Sequence, residues 1–234
     1  MRKMALKTFF AVMLLIVVFF ISGCGSSTDG NVKNAAYEII DDQGAIIQLE
    51  HKPERILTLA MGTDSIVLGI LPEEKLIAIN SLADDPVSSN IVDKANRITR
   101  KIKNPSAEEI LSLKPDVVFI YNWGKAEMVD NLRELGIKVV VVKGPKSIAD
   151  VKENVKLIAK TLGEEDKGNL MIAKMDDKLA EIKEKVDNIK PEERKKLVLI
   201  SLMTSYGGKG CTFDDICQYA GVINGVSDSP ALSI

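Results

Sequence analysis

Apolar segments alternate with helical segments between residues 55 and 142, and this alternation limits the possible folds more than any other feature of the chain. The apolar segments, rich in Val and Ile, predict strands at residues 55–60, 75–80, 116–121 and 138–142. The segments between them predict helices at residues 63–69, 106–113 and 125–135. Strands separated by helices pair in parallel, so we expect an α/β fold with a mostly parallel sheet and helices on both faces. A β-hairpin around Asp42-Gln43-Gly44 is predicted to precede the sheet.

A purely helical pattern follows the last of these strands. Apolar residues recur at spacings of three and four through residues 148–162 and again through residues 172–189. Ser147 is the predicted N-cap of the first helix and Gly163 its end. We expect residues 146–191 to form long connecting helices whose Lys and Glu side chains face solvent.

A second strand–loop–helix pattern then begins and stays short. A strand is predicted at residues 196–202, a turn-rich loop at 204–210 and a helix at 212–220. The expected architecture is two α/β lobes, at residues 36–145 and 192–234, joined by a long connecting helix, with the second lobe incomplete. A partial lobe exposes strand edges and apolar surface, so we expect this chain to bind weakly or to be poorly stable on its own.

The N-terminus has the composition of a secretory signal. Three positive charges and no acid precede an uncharged stretch at residues 8–21. Fourteen helical residues reach about 21 Å, short of the ~30 Å hydrocarbon core of a membrane. Ile21-Ser22-Gly23-Cys24 resembles a bacterial lipobox, in which the Cys is lipidated. We expect a signal peptide at 1–23, lipidation of Cys24, a flexible tether at 24–35 and a location on the extracytoplasmic face of the cell membrane. A plain transmembrane anchor is the alternative.

Composition excludes several kinds of site. The chain has 31 Lys and Arg against 33 Asp and Glu, without the basic excess of a nucleic-acid-binding protein. A single His, His51 at a predicted surface turn, excludes a site built from several imidazoles. Three Cys exclude a zinc ribbon and a disulfide-dense scaffold. For Cys211 and Cys217, a disulfide within the lobe and two unreactive thiols both fit the spacing.

Several motifs occur in a characteristic order. Lys52-Pro-Glu-Arg-Ile-Leu57 leads into the first strand of the sheet. Pro105-Ser-Ala-Glu-Glu-Ile110 is followed by Leu113-Lys-Pro-Asp-Val-Val118, and Gly208-Lys-Gly-Cys-Thr-Phe-Asp-Asp215 by Ala220-Gly-Val-Ile-Asn224. Over residues 36–224 this order resembles the substrate-binding lipoproteins of bacterial ABC importers for iron-siderophores, haem and vitamin B12, the Fe/B12 periplasmic-binding family.

The resemblance implies a binding protein rather than an enzyme. Its two lobes would clasp an iron chelate (siderophore or haem) or cobalamin and deliver it to an ABC transporter permease. It implies a lipid-anchored monomer with no cofactor, no metal site of its own and no nucleic-acid partner. A zinc- or manganese-binding solute-binding protein and an extracytoplasmic enzyme on a similar scaffold are the alternatives. The single His and the lack of a recognisable catalytic constellation weigh against them.

Candidate ligand-binding residues follow the carboxyl ends of strands, where open α/β sheets bind ligands. Tyr121 and Trp123 offer flat faces suited to a corrin, haem or catecholate chelate, although capping of the sheet would also explain them. The resemblance places an aromatic residue that faces the ligand at Tyr121. Ser81 follows the second strand of the sheet, and Ser205 and Tyr206 offer hydroxyls from the second lobe.

Two further candidates lie at predicted helix N-termini. Met61, Gly62 and Thr63 would place backbone N–H groups where they can hold an anionic group, or they form an ordinary helix start. The resemblance assigns Glu108 to docking on the permease, and the helix dipole explains the same residue without docking.

Overall fold

A parallel β-sheet organises the part of the chain that the computed structural model describes, residues 37–124, 126–200 and 207–227. Its five strands lie side by side in the order Lys101–Ile102 (β5), Leu76–Asn80 (β4), Ile56–Thr58 (β3), Val117–Tyr121 (β6) and Val139–Val142 (β7). Each neighbouring pair is parallel, which confirms the sheet expected from the sequence. The edge strand β5 has only two residues and was not predicted.

The predicted hairpin precedes the sheet and attaches to its edge. Tyr37–Ile40 (β1) pairs antiparallel with Ile46–Leu49 (β2). Gly44 in the turn has a φ of 78°, a left-handed conformation that glycine adopts without strain. The backbone N–H of Asp42 donates to the carbonyl oxygen of Val141 at 3.1 Å, so the turn is tied to β7.

Helices connect the strands and continue beyond them. They are Met61–Ile70 (α1), Val92–Ala95 (α2), Ala107–Ser112 (α3), Ala126–Glu134 (α4), Ile148–Leu162 (α5), Glu165–Val186 (α6) and Thr212–Tyr219 (α7). Short 3₁₀ turns lie at Glu73–Lys75 and Pro191–Glu193.

The sheet has a hydrophobic core on each face. On one face α1, α5 and the hairpin pack together, with Val67, Ile158 and Ile39 fully buried. On the other face α3 and α4 pack through Ile110 and Leu132. Every residue of β6 is buried because its side chains alternate between these two cores. Helices therefore cover both faces, as the sequence predicts.

The connecting segment is a pair of helices joined by a tight turn. The side chain of Ser147 caps α5 by accepting from the N–H of Asp150 at 3.1 Å. Gly163 ends α5 with a φ of 63°. A Cβ at Gly168 would lie 2.4 Å from the Cβ of Ala159, so this glycine permits the close approach of α5 and α6. Gly168 is the one buried residue among the described positions of α6, and beyond it Met171 and Ile172 pack against the core while staying partly exposed.

The sequence predicts a strand at residues 196–202, and this prediction is too long. Lys196–Leu197 (β8) pairs in parallel with Ile223–Asn224 (β9), and no ladder extends through residues 198–200. Val198 is 53% exposed and Ile200 92% exposed. A strand requires a partner along its length, and β9 offers only two residues. The described portion of the second lobe thus leaves apolar side chains uncovered.

Several expectations concern residues outside the described ranges. These are the signal peptide, the tether, the lipidated Cys24 and the hydroxyl-bearing Ser205 and Tyr206. Of the helices in the described ranges, none combines the length and apolar character needed to cross a membrane.

A buried carboxylate fastens the hairpin to the sheet. The Asp41 side chain is fully buried and accepts from the backbone N–H groups of Gln43 and Ala45, both at 2.9 Å. Its other oxygen accepts from the guanidinium of Arg133 at 2.7 Å and from the N–H of Val141 at 3.1 Å. One carboxylate therefore satisfies the turn, the sheet edge and a cation on α4.

Replacing Asp41 with Asn should destabilise the protein strongly. All the partners of the Asp41 carboxylate are N–H donors. The NH₂ group of an Asn side chain would face some of these donors, so buried N–H groups would be left without an acceptor. We expect the Asp41→Asn variant to lose about 2–4 kcal/mol in the free energy of unfolding, measured by urea denaturation. The matched control is Glu38→Gln, an exposed acid on β1, which should change stability by less than about 0.5 kcal/mol. Equal effects of the two substitutions would contradict this role for Asp41.

Candidate functional site

A cavity of about 820 Å³ opens beyond the carboxyl ends of the central strands. Its wall is formed by the residues that follow β3, β4 and β5, by the end of β6 and by the start of α4. The lining residues are Leu59, Ala60, Asn80, Ser81, Leu82, Ile102, Lys103, Asn104, Pro105, Ser106, Ile120, Tyr121, Trp123, Gly124 and Met128. This edge of an open α/β sheet is where such folds bind ligands, and the volume lies in the range of small-molecule sites.

Two aromatic rings form one wall of the cavity. The ring centroids of Tyr121 and Trp123 lie 4.4 Å apart with 41° between the ring planes. Tyr121 is 6% exposed, whereas Trp123 is 67% exposed. A Cβ at Gly144 would lie 2.2 Å from the Trp123 ring, so the indole rests on bare backbone. The N–H of Gly144 donates to the side-chain oxygen of Asn122 at 3.0 Å, which holds this backbone in place. We call Tyr121 and Trp123 the aromatic wall.

Gly62 makes room for the buried half of this wall. A Cβ at position 62 would lie 2.1 Å from the Tyr121 hydroxyl oxygen. Burial, with a smaller effect of the nearby Asp64, raises the pKa of Tyr121 to about 12, so its hydroxyl stays protonated. The role of Gly62 in the described structure is therefore to admit the tyrosine ring.

A buried acid lies beneath the cavity. Asp64 is fully buried in the first turn of α1, where its carboxyl accepts from the Thr58 hydroxyl and, at 3.2 Å, from the N–H of Asn80. Burial is the main cause that raises the pKa of Asp64 to about 7, opposed by these two hydrogen bonds. The side chain of Asn80 donates in turn to the carbonyl oxygen of Leu59 at 3.3 Å. The carboxyl thus joins the ends of β3 and β4 to α1.

The structure brings together some of the candidates chosen from the sequence. Ser81, Tyr121 and Trp123 line the cavity. Met61, Gly62 and Thr63 lie in the first turn of α1 and are not among the lining residues. Thr63 is fully buried, and its hydroxyl donates to the carbonyl oxygen of Ala60 at 2.7 Å.

Sequence reasoning missed the segment that closes one side of the cavity. Lys103, Asn104 and Ser106 follow the two-residue strand β5, which has no hydrophobic run long enough to be recognised. Asn104 has a φ of 50°, and Asn is one of the few residues that adopts this conformation readily. The Asn-Pro pair at this point was the available signal for a turn.

Glu108 lies on the surface in the first turn of α3. Its own backbone N–H and then the Ser106 side chain lower the pKa of Glu108, so it is ionised at neutral pH. Ser106 caps the same helix by accepting from the N–H of Glu109 at 3.2 Å. The carboxylate therefore suits the helix N-terminus and is also available to a partner.

No disulfide joins Cys211 to Cys217. The Cys211 thiol donates to the carbonyl oxygen of Gly208 at 2.9 Å, and burial raises the pKa of Cys217. Both sulfurs are buried. The sequence spacing of Cys211 and Cys217 was compatible with either a disulfide or two thiols, and the structure has two buried thiols.

Comparison with known proteins gives one family match. The family model described as "Periplasmic binding protein" matches residues 60–232. The chain is 23% identical over 196 residues to the ABC transporter substrate-binding lipoprotein YvrC of Bacillus subtilis, covering 80% of this chain and 61% of YvrC. It is 26% identical over 115 residues to the vitamin B12-binding protein of Vibrio vulnificus, covering 48% of this chain and 40% of that protein.

A solved structure shows the same fold. The periplasmic haem-binding protein of Pseudomonas aeruginosa superimposes with a TM-score of 0.62 at 16% identity, over 74% of this chain and 63% of that one. The chain therefore spans about three fifths of the length of YvrC and of this structural neighbour.

Stability should fall as pH rises because of Asp64. Its pKa is about 7 in the folded protein against an ordinary value of 3.8, so folding is favoured while the group is protonated. This contribution is complete below about pH 4 and is lost as pH rises to 7 and above, at a cost on the order of a few kcal/mol.

The test compares unfolding free energies at pH 5 and pH 8. Asp64→Asn should flatten the decrease between these two values, whatever its effect on the baseline stability. Asp93→Asn, an exposed acid on α2, should keep the original decrease. A decrease unchanged in Asp64→Asn would contradict the assignment.

Proposed function

Because this chain belongs to the periplasmic binding protein family, we propose that it captures an iron chelate (siderophore or haem) or cobalamin outside the cytoplasm. It would release the ligand to the permease of an ABC transporter. The relatives reported above are a substrate-binding lipoprotein and a vitamin B12-binding protein, and the structural neighbour binds haem. The proposed activity is capture and delivery without catalysis, by a monomer anchored through lipid on Cys24.

The aromatic wall is the observation that carries the proposal. Trp123 is two-thirds exposed although it is held from behind by Tyr121 and by the backbone of Gly144. A ring fixed in this way loses little conformational entropy when a flat ligand stacks on it. Delocalised chelates and macrocycles present such a flat surface. A wall of this kind at the binding edge of the sheet suits them better than small polar solutes.

The described residues lend no support to the metal-ion alternative. Within these ranges no group of three or more His, Cys, Asp or Glu side chains is placed to hold a metal ion. We propose recognition of a whole chelate, with the metal already coordinated by its carrier, because the aromatic wall suits the flat surface of such a ligand.

Ligand binding should quench the fluorescence of Trp123. It is the single Trp of the chain, so the signal reports the cavity directly. Titration with haem, a ferric siderophore or cobalamin should quench it, with Trp123→Ala binding about tenfold more weakly by ligand absorbance. Tyr219→Ala, an exposed aromatic on α7, should bind as the parent does. The absence of a response to all three ligands would exclude the proposal for this chain.

Glu108 is proposed to contact the permease. An exposed carboxylate suits a transient, salt-sensitive interface. In cells that carry the transporter, Glu108→Ala should lower uptake several-fold and leave ligand affinity unchanged. The matched control is Glu127→Ala, an exposed acid in the first turn of α4, which should leave uptake unchanged. A loss of ligand affinity in Glu108→Ala would instead assign this residue to the binding site.

A further inference from the structure

Lys103 gives the cavity a single formal charge. Of the fifteen described residues in the cavity wall, Lys103 alone has a charged side chain, and none is acidic. Most of the others are apolar or aromatic, with amide and hydroxyl groups from residues such as Asn80 and Ser106. A lone cation in a concave, largely apolar wall creates a positive potential that no other lining side chain cancels.

Two other lysines near this edge of the lobe are engaged, whereas Lys103 is available. Lys101 donates to the carbonyl oxygen of Ile98 at 2.5 Å and pairs with Asp84 at 3.4 Å. Lys143 pairs with Asp150 at 2.6 Å. For Lys103, no carboxylate in the described ranges lies within ion-pair distance. Its ammonium can therefore meet a ligand without first breaking an ion pair with those residues.

The backbone holds Lys103 at the cavity. The residue follows the edge strand β5 directly, and Asn104 turns the chain with a φ of 50° before the buried Pro105. The N–H of Ser81 donates to the carbonyl oxygen of Ile102 at 2.8 Å, which ties the end of β5 to the residue after β4. Lys103 is therefore anchored next to Ser81, another residue of the cavity wall.

We propose that the site selects a flat anion: a planar chelate whose π surface stacks on Trp123 and whose carboxylate or phenolate oxygen pairs with Lys103. This inference rests on the proposed capture function and narrows its ligand class. Haem, with two carboxylates on a planar ring, meets both requirements, and a ferric catecholate meets them through its flat catechol rings and the negative charge of the complex. Cobalamin carries amides around its corrin ring and holds its one phosphodiester away from that ring, and neutral hydroxamate chelates carry no anionic group.

The test uses two ligands of the same shape and different charge. Haem and haem dimethyl ester share the planar ring, and the ester has no carboxylate. We expect the parent protein to bind haem about tenfold more tightly than the ester, with an affinity for haem that falls as salt is added. Binding is followed by quenching of Trp123 and by haem absorbance.

Two variants separate Lys103 from overall charge. Lys103→Gln should abolish the preference for haem over the ester and flatten its salt dependence, while binding of the ester stays unchanged. Lys138→Gln removes the same charge from an exposed residue just before the amino end of β7, and it should keep the preference. Circular dichroism of both variants checks that they fold as the parent does.

The outcomes distinguish this inference from the function on which it rests. Binding of haem, its ester and cobalamin with equal affinity would overturn the selection of an anion and leave capture intact. A preference for haem that survives in Lys103→Gln would also overturn it. Binding of none of the probes would overturn the capture function, and this inference with it.

Discussion

The buried carboxyl of Asp64 is the interaction on which the floor of the cavity depends. From α1 it accepts the hydroxyl of Thr58 at the end of β3 and the backbone N–H of Asn80 at the end of β4. Asn80 then donates to the carbonyl oxygen of Leu59. Where a strand ends, its backbone groups lose their ladder partners, and a buried group left unpaired is costly. Asp64 supplies one such partner and thereby fixes the position of two strand ends that line the cavity.

The aromatic wall is built on this floor and requires close backbone approach. Tyr121 reaches over the start of α1 because position 62 has no side chain, and Trp123 rests on Gly144 for the same reason. These two contacts immobilise the rings from behind and leave the outer face of Trp123 open. The cost of ordering the indole is thus met during folding and not during ligand binding. Lys103, in the segment that follows β5, adds a positive charge to a cavity wall whose other lining residues are mostly apolar.

The two parts of the described structure differ in how well they are covered. The sheet of the first part has a closed core on each face, anchored at its edge by Asp41. The part beyond α6 has two-residue strands and exposed apolar side chains, among them Ile200. The cavity described here is consequently the face that one lobe offers to a ligand. Family membership and this face together support capture of a flat solute, and the activity of the whole protein remains the proposal made above.

Much of this arrangement follows from local sequence pattern. Runs of Val and Ile separated by helical segments determine a parallel sheet, and a parallel sheet places Ser81, Tyr121 and Trp123 at one edge, since all carboxyl ends point the same way.

Other features depend on contacts between distant residues, which no local pattern contains. The two-residue strand β5 exists only because β4 lies beside it, and it brings Lys103 into the cavity. Residues 198–200 have strand propensity but lack a strand partner in the described structure. Asp64 shows the same division. The local sequence pattern places it in a helix, whereas its burial, its raised pKa and its hydrogen bonds to Thr58 and Asn80 depend on β3 and β4, which pack around it.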